Sequence, residues 1–269
     1  MNHRPRKRFG QNFLHDAGII SRIVQCIAPS RDQQLVEIGP GQGAITRELL
    51  RATGRLQAIE LDRDLIEPLA ATCAGIGELE IHNADALDFE FCALADAGPK
   101  LRVVGNLPYN ISTPILFHLL EQAHCIHDMH FMLQKEVVER MGAEPGGKAY
   151  GRLSVMLQAQ CEVTPLFDIG PGAFNPPPKV DSSFVRLVPF PSPRYRIDDV
   201  VRFRQLVAQA FSQRRKTVRN SLRGLLTPDQ ISAAGVDPGV RAERISVAGF
   251  VALANGSQAT GQEELEATD

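Results

Sequence analysis

The sequence predicts an α/β fold in which a mostly parallel sheet carries helices on both faces, followed by a small helical domain. Three observations predict it. From Leu35 to Phe190, short apolar runs of strand length alternate with segments of helical pattern. Seven of the 18 prolines then fall between Pro171 and Pro193, and the last stretch, Pro189-Phe190-Pro191-Ser192-Pro193, predicts a stiff linker. Beyond that linker only helical patterns follow, with Pro228 and Pro238 as helix stops.

The alternating region divides into strands and helices in a regular order. The predicted strands are Leu35–Ile38, Leu56–Leu61, Leu79–Ile81, Leu101–Val104, Met129–Leu133 and Ser182–Val188. The predicted helices are Ala44–Arg51, Asp64–Cys73, Pro114–Gln122 and Lys135–Met141. Sheets of this kind place their binding sites at the carboxyl ends of the strands, so the residues that follow each strand are the candidates for a functional site.

The predicted domains are residues 1–190, which contain the sheet, and residues 191–255, which contain the helices Val200–Ser212, Thr217–Leu226 and Ser246–Ala254. Residues 256–269 are predicted to be a disordered acidic tail. A length of 269 residues suits one large and one small domain. With 43% apolar and 22% charged residues, disorder of the whole chain is excluded.

No run approaches the ~20 apolar residues of a membrane span. Five cysteines lie far apart in the sequence and form no Cys-x-x-Cys pair; they are Cys26, Cys73, Cys92, Cys125 and Cys161. Their odd number and spacing predict free thiols in a reducing compartment, and we expect a cytoplasmic, monomeric protein.

The formal net charge of −2 hides a strong asymmetry along the chain. Residues 1–10 contain four Lys and Arg residues and no acid, whereas the tail contains four carboxylates and no base. The segment Arg202–Arg223 contains seven basic residues and no Asp or Glu. Because no acids are interleaved to form i,i+4 pairs, this run predicts contact with a polyanion such as nucleic acid. A solvated helix face is the alternative.

The first chemical motif is Val36-Glu37-Ile38-Gly39-Pro40-Gly41-Gln42-Gly43, at a predicted strand-to-helix turn. Glycines there let the backbone approach a ligand and expose amides at the start of a helix. Glu60 follows 21 residues after Gly39, at the end of the second strand, where a carboxylate can accept hydrogen bonds from both ribose hydroxyls. This predicts a nucleoside cofactor. Ala44 occupies the third position of the dinucleotide pattern, so an NAD site stays open from the loop alone.

Two further motifs follow the third and fourth strands. Asp85, in Asn83-Ala84-Asp85-Ala86-Leu87-Asp88, can accept a hydrogen bond from an exocyclic amine such as that of adenine, although an N-cap role is the alternative. Asn106-Leu107-Pro108-Tyr109 suits methylation of a base amine. The Asn106 carboxamide oxygen and a backbone carbonyl can accept the two N–H groups, Pro108 removes a competing donor, and Tyr109 offers a stacking face.

Taken together these motifs resemble the KsgA-type family of ribosomal RNA adenine dimethyltransferases, over about Lys7 to Arg223. The matching segments are Lys7–Leu14, Val36–Gly43, Asn83–Asp88, Asn106–Ser112, Tyr150–Val155 and Phe174–Ser182. The resemblance implies a Rossmann-like methyltransferase sheet and S-adenosylmethionine as cofactor, with S-adenosylhomocysteine as product. It also implies transfer of methyl groups to N6 of two adjacent adenosines near the 3′ end of 16S rRNA, within an immature small ribosomal subunit.

The resemblance also implies roles for individual residues. The cofactor is expected to contact Asn12, Leu14, Gly39, Gly41, Glu60, Asp85 and Asn106. The target base is expected to contact Asn106, Leu107, Pro108 and Tyr109. A second stacking face at Phe174 is inferred by analogy, with simple packing as the alternative. Arg214, Arg215, Lys216 and Arg219 are expected to contact RNA phosphates.

Three other functions stay open from the sequence: a large-subunit rRNA dimethyltransferase of the antibiotic-resistance type, a ribosome-assembly factor without essential catalysis, and an NAD-dependent oxidoreductase. The segments Lys7–Leu14 and Phe174–Ser182 favour the small-subunit enzyme over the first. Four histidines and Cys125 could suggest a metal; they are His118, His124, His127 and His130. Their spacing fits zinc poorly, so no metal is predicted.

Overall fold

The computed structural model describes residues 11–95 and 98–256. The first part of the Lys7–Leu14 motif, the basic residues before it and all but the first residue of the predicted acidic tail lie outside these ranges.

The described elements follow the predicted alternation closely. In chain order they are β1 (Phe13–Leu14), α1 (Ala17–Ile27), β2 (Gln34–Ile38), α2 (Thr46–Thr53), β3 (Arg55–Ile59), α3 (Arg63–Cys73), β4 (Glu78–His82), β5 (Leu101–Asn106), α4 (Ser112–Glu121), β6 (Ile126–Gln134), α5 (Lys135–Met141), α6 (Arg152–Gln158), β7 (Cys161–Ile169), β8 (Phe174–Asn175), β9 (Ser182–Pro189), α7 (Val200–Ser212), α8 (Val218–Ser221), α9 (Pro228–Ala233) and α10 (Val247–Gly256).

Seven strands form one sheet in the order β4-β3-β2-β5-β6-β9-β7. The five strands from β4 to β6 pair in parallel, and β9 pairs antiparallel with β6. The prediction of a mostly parallel sheet is therefore confirmed. The central strand β5 is buried on both faces, as the adjacent residues Val103 and Val104 show with 0% and 1% exposure, which is expected where a parallel sheet is covered by helices.

Close approach of the strand ends depends on one glycine. A Cβ atom at Gly105 would lie 2.6 Å from the carbonyl oxygen of Ile38, so any side chain there would push β2 and β5 apart. The carboxyl ends of these two strands carry the glycine-rich loop and the Asn106 motif. Gly105 thus lets the two motifs lie side by side.

Several elements were not predicted. Helix α1 begins after Asp16, whose side chain accepts a hydrogen bond from the Ile19 amide at 2.9 Å.

The interpretation of Pro228 as a helix stop is wrong. Pro228 begins α9, where it needs no amide partner, and Thr227 is the N-cap of that helix. The predicted helix Thr217–Leu226 is confined to α8. Strands β1 and β8 form a separate two-stranded antiparallel sheet.

The chain divides into two compact units. The first contains residues up to Val138 and Val163–Pro189, and the second contains Glu139–Glu162 and the residues from Phe190 onward. One break of this division falls between Pro189 and Phe190, next to the predicted boundary at residue 190, and the domain bounds stay a prediction. The predicted first domain, however, also included residues 139–162, which in the structure cluster with the helical unit because α6 packs with α7 and α10.

The prediction that all five cysteines are free thiols is wrong for two of them. Cys92 and Cys125 form a disulfide with an S–S distance of 2.05 Å, whereas Cys26, Cys73 and Cys161 are free. The pair is separated by 33 residues in the sequence. The two cysteines meet because two short 3₁₀ helices, Phe91–Leu94 and Ala123–Cys125, lie beside each other. A hydrogen bond from the Cys92 amide to the Gln122 side chain joins the same two segments.

Among the helices of the described ranges, none has the length and apolar character that crossing a lipid bilayer requires.

Candidate active site

A cavity of about 320 Å³ lies at the carboxyl ends of β2, β3, β4 and β5. It is the place where a parallel sheet with helices on both faces is expected to bind its ligand. Ten of the predicted site residues line it, from five separate segments of the first unit. They are Asn12, Leu14, Gly39, Gly41, Glu60, Asp85, Asn106, Leu107, Pro108 and Tyr109.

Glu60 supports the glycine-rich loop from the end of β3. Its carboxylate accepts a hydrogen bond from the Gly41 amide at 3.2 Å and another from the Asp62 amide at 2.8 Å. Gly41 has a φ of 57°, a conformation that favours glycine. Burial raises the pKa of Glu60, and the two backbone amides oppose that rise. The side chain is thus held at the cavity wall as a hydrogen-bond acceptor.

Glu37 is a cavity residue to which the sequence analysis assigned no role. It lies in β2, is 2% exposed, and its Oε2 atom has no hydrogen-bond partner among the described residues. Burial raises the pKa of this carboxyl to about 7. The signal in the sequence was a lone acid inside the apolar run Val36-Glu37-Ile38. A buried acceptor that lines a cavity can serve a cationic or amino group of a ligand.

The raised pKa of Glu37 predicts a pH-dependent cost to stability. Between pH ~4.5 and ~7 the unfolded chain releases this proton while the folded chain retains it, so the free energy of unfolding falls as pH rises and is level above pH ~7. We expect Glu37→Gln to remove this fall and to stabilise the ligand-free protein at pH ~8 by about 2 kcal/mol, with no gain at pH ~4. Urea unfolding across this range measures it. Parallel pH profiles for the two proteins would contradict the assignment.

Asp85 lies in the turn that follows β4. Its carboxylate accepts a hydrogen bond from the Leu87 amide at 2.9 Å, and its carbonyl accepts one from the Asp88 amide at 3.1 Å. The N-cap alternative is not what the structure shows, because a turn rather than an α-helix follows. The Leu87 contact fixes one carboxylate oxygen, Oδ1, at the cavity.

Asn106 is the last residue of β5 and connects two parts of the site. Its side-chain amide donates a hydrogen bond to the backbone carbonyl of Asn12 at 2.9 Å. The segment that contains Asn12 continues into β1, which pairs with β8. Because the Nδ2 group is directed at Asn12, the carboxamide orientation is set, and Oδ1 is the atom of this side chain that can accept hydrogen bonds.

Tyr109 lies in the loop between β5 and α4. Its hydroxyl is 2.7 Å from the hydroxyl of Ser182, the first residue of β9. Burial raises the pKa of the Tyr109 phenol, which therefore remains neutral at physiological pH. The ring is partly exposed and lines the cavity, so a planar ligand group can reach it.

Phe174 and the predicted RNA-binding basic residues are not among the residues that line this cavity. Phe174 is 2% exposed and packs in the core cluster that also contains Leu14 and Phe184. The structure shows the packing alternative, and the stacking role stays a prediction. The basic residues lie in the second unit, on the turn between α7 and α8 and on α8; Arg214, Arg215, Lys216 and Arg219 are all exposed there. Arg214 donates a hydrogen bond to the Lys148 carbonyl at 2.7 Å.

The histidines weighed as metal ligands do not come together as a group. His130 is buried in β6, and His118 bonds the Phe89 carbonyl at 2.8 Å. Within the described part of the chain, the one cluster with possible metal ligands consists of Cys92, His124 and Cys125. Its two sulfur atoms are bonded to each other in this structure.

The cavity fits a cofactor that contains a nucleoside and an amino group. Glu60 is a buried carboxylate that can accept hydrogen bonds from ribose hydroxyls, and the half-buried Asp85 carboxylate can accept one from a base amine. The Glu37 oxygen without a partner among the described residues can accept one from a cation or an amino group. The Asn106 motif at the same wall adds an acceptor and a partly exposed ring. A carboxamide acceptor and a partly exposed ring beside such a cavity are the arrangement that we expect in a methyltransferase that acts on base amines.

The comparisons with known proteins agree with this class. The family model described as "Ribosomal RNA adenine dimethylase" matches residues 2–258. The chain belongs to the ribosomal RNA adenine dimethylase family and is a methyltransferase.

The chain is also similar to curated bacterial proteins over nearly its whole length. It is 58% identical over 253 residues to the "Ribosomal RNA small subunit methyltransferase A" of Pseudomonas aeruginosa, and the match covers 94% of each chain. It is 57% identical over 254 residues to the protein of the same name from Nitrosococcus oceani, covering 94% of this chain and 96% of that one.

Two solved structures share the fold with enough identity to compare. A dimethyladenosine transferase from Plasmodium falciparum has a TM-score of 0.80 and 25% identity, covering 93% of this chain and 98% of that one. The 23S rRNA methyltransferase ErmE has a TM-score of 0.70 and 26% identity, covering 92% and 100%.

Proposed function

We propose that this protein transfers methyl groups from S-adenosylmethionine to N6 of two adjacent adenosines in the 3′-terminal hairpin of 16S rRNA, giving N6,N6-dimethyladenosines. The observation that carries the proposal is the convergence of ten predicted residues from five segments on one cavity. Relatives named for the small ribosomal subunit are 58% and 57% identical to this chain, against 26% for the 23S rRNA enzyme. The small-subunit substrate is therefore favoured over the large-subunit one.

The cofactor, when bound, supplies an electrophilic methyl group on a sulfonium centre. Glu60 would accept hydrogen bonds from its ribose hydroxyls, Asp85 from its adenine amine, and Glu37 from its amino group. Asn12 and Leu14 would cover it from the N-terminal side. Because these residues and the Asn106 motif line one cavity, they would hold the cofactor beside that motif, and positioning of donor and acceptor supplies most of the rate effect.

The target amine needs two acceptors, because its lone pair is delocalised into the adenine ring until the nitrogen becomes pyramidal. Asn106 Oδ1 is the first. The Pro108 carbonyl already accepts from the Ile111 amide at 3.1 Å, and the Tyr109 carbonyl accepts from the Ser112 hydroxyl at 3.2 Å. We therefore assign the second acceptor to the Leu107 carbonyl. The Tyr109 ring stacks on the base, a contact worth ~1–3 kcal/mol.

The RNA contact is proposed to lie on the basic turn of the second unit. Phosphate contacts by Arg and Lys release counterions, so affinity falls steeply with salt. We expect the double variant Arg215→Ala/Lys216→Ala to weaken binding to small subunits and to reduce the slope of log affinity against log salt by about 1.5. Filter binding between ~50 and ~200 mM salt measures this.

The matched control is Arg51→Ala/Arg55→Ala, which removes two exposed arginines from the first unit. It is expected to leave the slope unchanged. An unchanged slope for Arg215→Ala/Lys216→Ala would remove the phosphate contact from this turn.

The substrate is tested by methyl transfer from labelled S-adenosylmethionine to small subunits that lack the modification, with large subunits and duplex DNA as controls. Label on small-subunit RNA supports the proposal, whereas label on large-subunit RNA would assign the protein to the resistance-type enzymes.

We further propose that the protein acts in the cytoplasm on a late, immature small subunit. Normal subunit maturation with a methylation-dead variant would show that binding alone serves that step.

A further inference from the structure

The Tyr109 ring extends from a loop without regular structure, and its far end is anchored elsewhere. Residues 107–111 connect β5 to α4, and the Leu107 amide bonds the Met132 carbonyl at 3.2 Å at one end of this loop. The phenol oxygen of Tyr109 lies 2.7 Å from the hydroxyl oxygen of Ser182. The loop positions the backbone of Tyr109, whereas Ser182 positions its phenol oxygen.

Ser182 is held rigidly. It is 0% exposed and lies opposite Gln134 in the antiparallel pair of β9 with β6. Next to it, the Lys135 amide donates a hydrogen bond to the Asp181 carbonyl at 2.9 Å. The Ser182 hydroxyl is therefore set by the main sheet rather than by the loop.

We propose that Ser182 is a positioning residue for the target base: its hydroxyl holds the Tyr109 hydroxyl and so fixes the position of the ring on which the base stacks. The inference rests on the proposed function. The phenol oxygen lies on the axis about which the ring rotates, so a hydrogen bond at that oxygen fixes the direction of the axis and holds the first side-chain torsion angle in one rotamer. A ring whose axis swings away moves the stacked base, which takes its N6 atom off the line of methyl transfer, and small misplacements of this kind reduce rates strongly.

The second methyl transfer depends more on this placement than the first. After one transfer the amine carries a methyl group and has a single N–H left to direct it, so ring stacking supplies a larger part of its orientation. Loss of the Ser182 contact is expected to leave monomethylated adenosine as a prominent product.

The test compares Ser182→Ala, Tyr109→Phe, their double variant and the control Ser183→Ala. Ser183 is the next residue, is 3% exposed, and donates its own hydrogen bond to the Phe167 carbonyl at 3.3 Å. Ser183→Ala therefore removes a buried hydroxyl of the same strand without touching Tyr109. For each protein, kcat and KM for small subunits, the Kd of S-adenosylmethionine by calorimetry, and the ratio of monomethyl to dimethyl product are measured.

We expect Ser182→Ala to lower kcat about tenfold and to raise the monomethyl fraction, with the cofactor Kd unchanged within about twofold. Tyr109→Phe is expected to match it. The double variant is expected to be no worse than either single variant, because both remove the same hydrogen bond. Ser183→Ala is expected to lower the melting temperature while keeping kcat and the product ratio.

A kcat and product ratio for Ser182→Ala equal to those of Ser183→Ala would overturn the inference, as would additive losses in the double variant. If Ser182→Ala does not fold, Tyr109→Phe decides the question alone, since it breaks the same contact from the partly exposed side. No transfer by the wild-type protein would instead overturn the proposed function, on which this inference rests.

Discussion

Replacing Asn106 by alanine is expected to lower methyl transfer by about 10³-fold while the fold and RNA binding survive. The variant loses the oxygen that accepts from the target amine, and losing one such group aligned with the reacting centre costs on the order of 10²–10³ in rate. It also loses the 2.9 Å bond to the Asn12 carbonyl. Single-turnover transfer to unmodified small subunits measures the loss.

Asn255→Ala is the matched control for Asn106→Ala. Like Asn106, the Asn255 side chain bonds the backbone, here the Asp198 amide at 3.2 Å and the Arg196 carbonyl at 2.8 Å, but it belongs to the second unit. Its loss is expected to affect stability and not transfer. Full activity of Asn106→Ala would remove the assigned role of the Asn106 carboxamide.

Glu60→Gln is expected to raise the Kd of S-adenosylmethionine by about 100-fold. The carboxylate is held by the Gly41 and Asp62 amides and has lone pairs left for the ribose hydroxyls. A carboxamide replaces one acceptor oxygen by an amino group, which faces a backbone donor. Hydrogen bonds to charged groups contribute ~1.5–3 kcal/mol each, so losing the charge and disturbing the loop together account for this effect.

Calorimetry on the wild type and on Glu60→Gln measures this directly. Glu80→Gln is the control, because Glu80 is an exposed acid on β4 that pairs with Gln57 and lies outside the cavity lining. A Kd for Glu60→Gln within about threefold of the wild type would contradict the ribose contact.

Most of the candidate site could be predicted because it consists of short segments directly after strands. Parallel strands bring their carboxyl ends to one edge, so Gly39, Glu60, Asp85 and Asn106 meet once the strands are recognised. The strands themselves were visible as apolar runs, and β5 is buried on both faces, as such a run implies.

The contacts that were not predicted join segments far apart in the sequence. The Cys92–Cys125 disulfide spans 33 residues and the bond from Tyr109 to Ser182 spans 73. The pairing of β1 with β8 joins Phe13 to Asn175, more than 150 residues apart. None of the three has a local sequence pattern. Burial of a side chain depends on the whole fold rather than on neighbouring residues. The sequence therefore could not decide whether Phe174 stacks on the base or packs in the core. Glu37 lies within the glycine motif, yet whether its Oε2 atom has a partner among the described residues depends on what the fold packs around it.

The most direct test of the central claim is chemical analysis of the RNA product. Small subunits that lack the modification are incubated with the protein and S-adenosylmethionine. Their 16S rRNA is then digested, its nucleosides are analysed by mass spectrometry, and the sites are mapped by primer extension. The account predicts two N6,N6-dimethyladenosines per subunit, at adjacent positions in the 3′-terminal hairpin. Methyl groups on another atom, such as a ring nitrogen, C5 of a pyrimidine or a ribose hydroxyl, would contradict it.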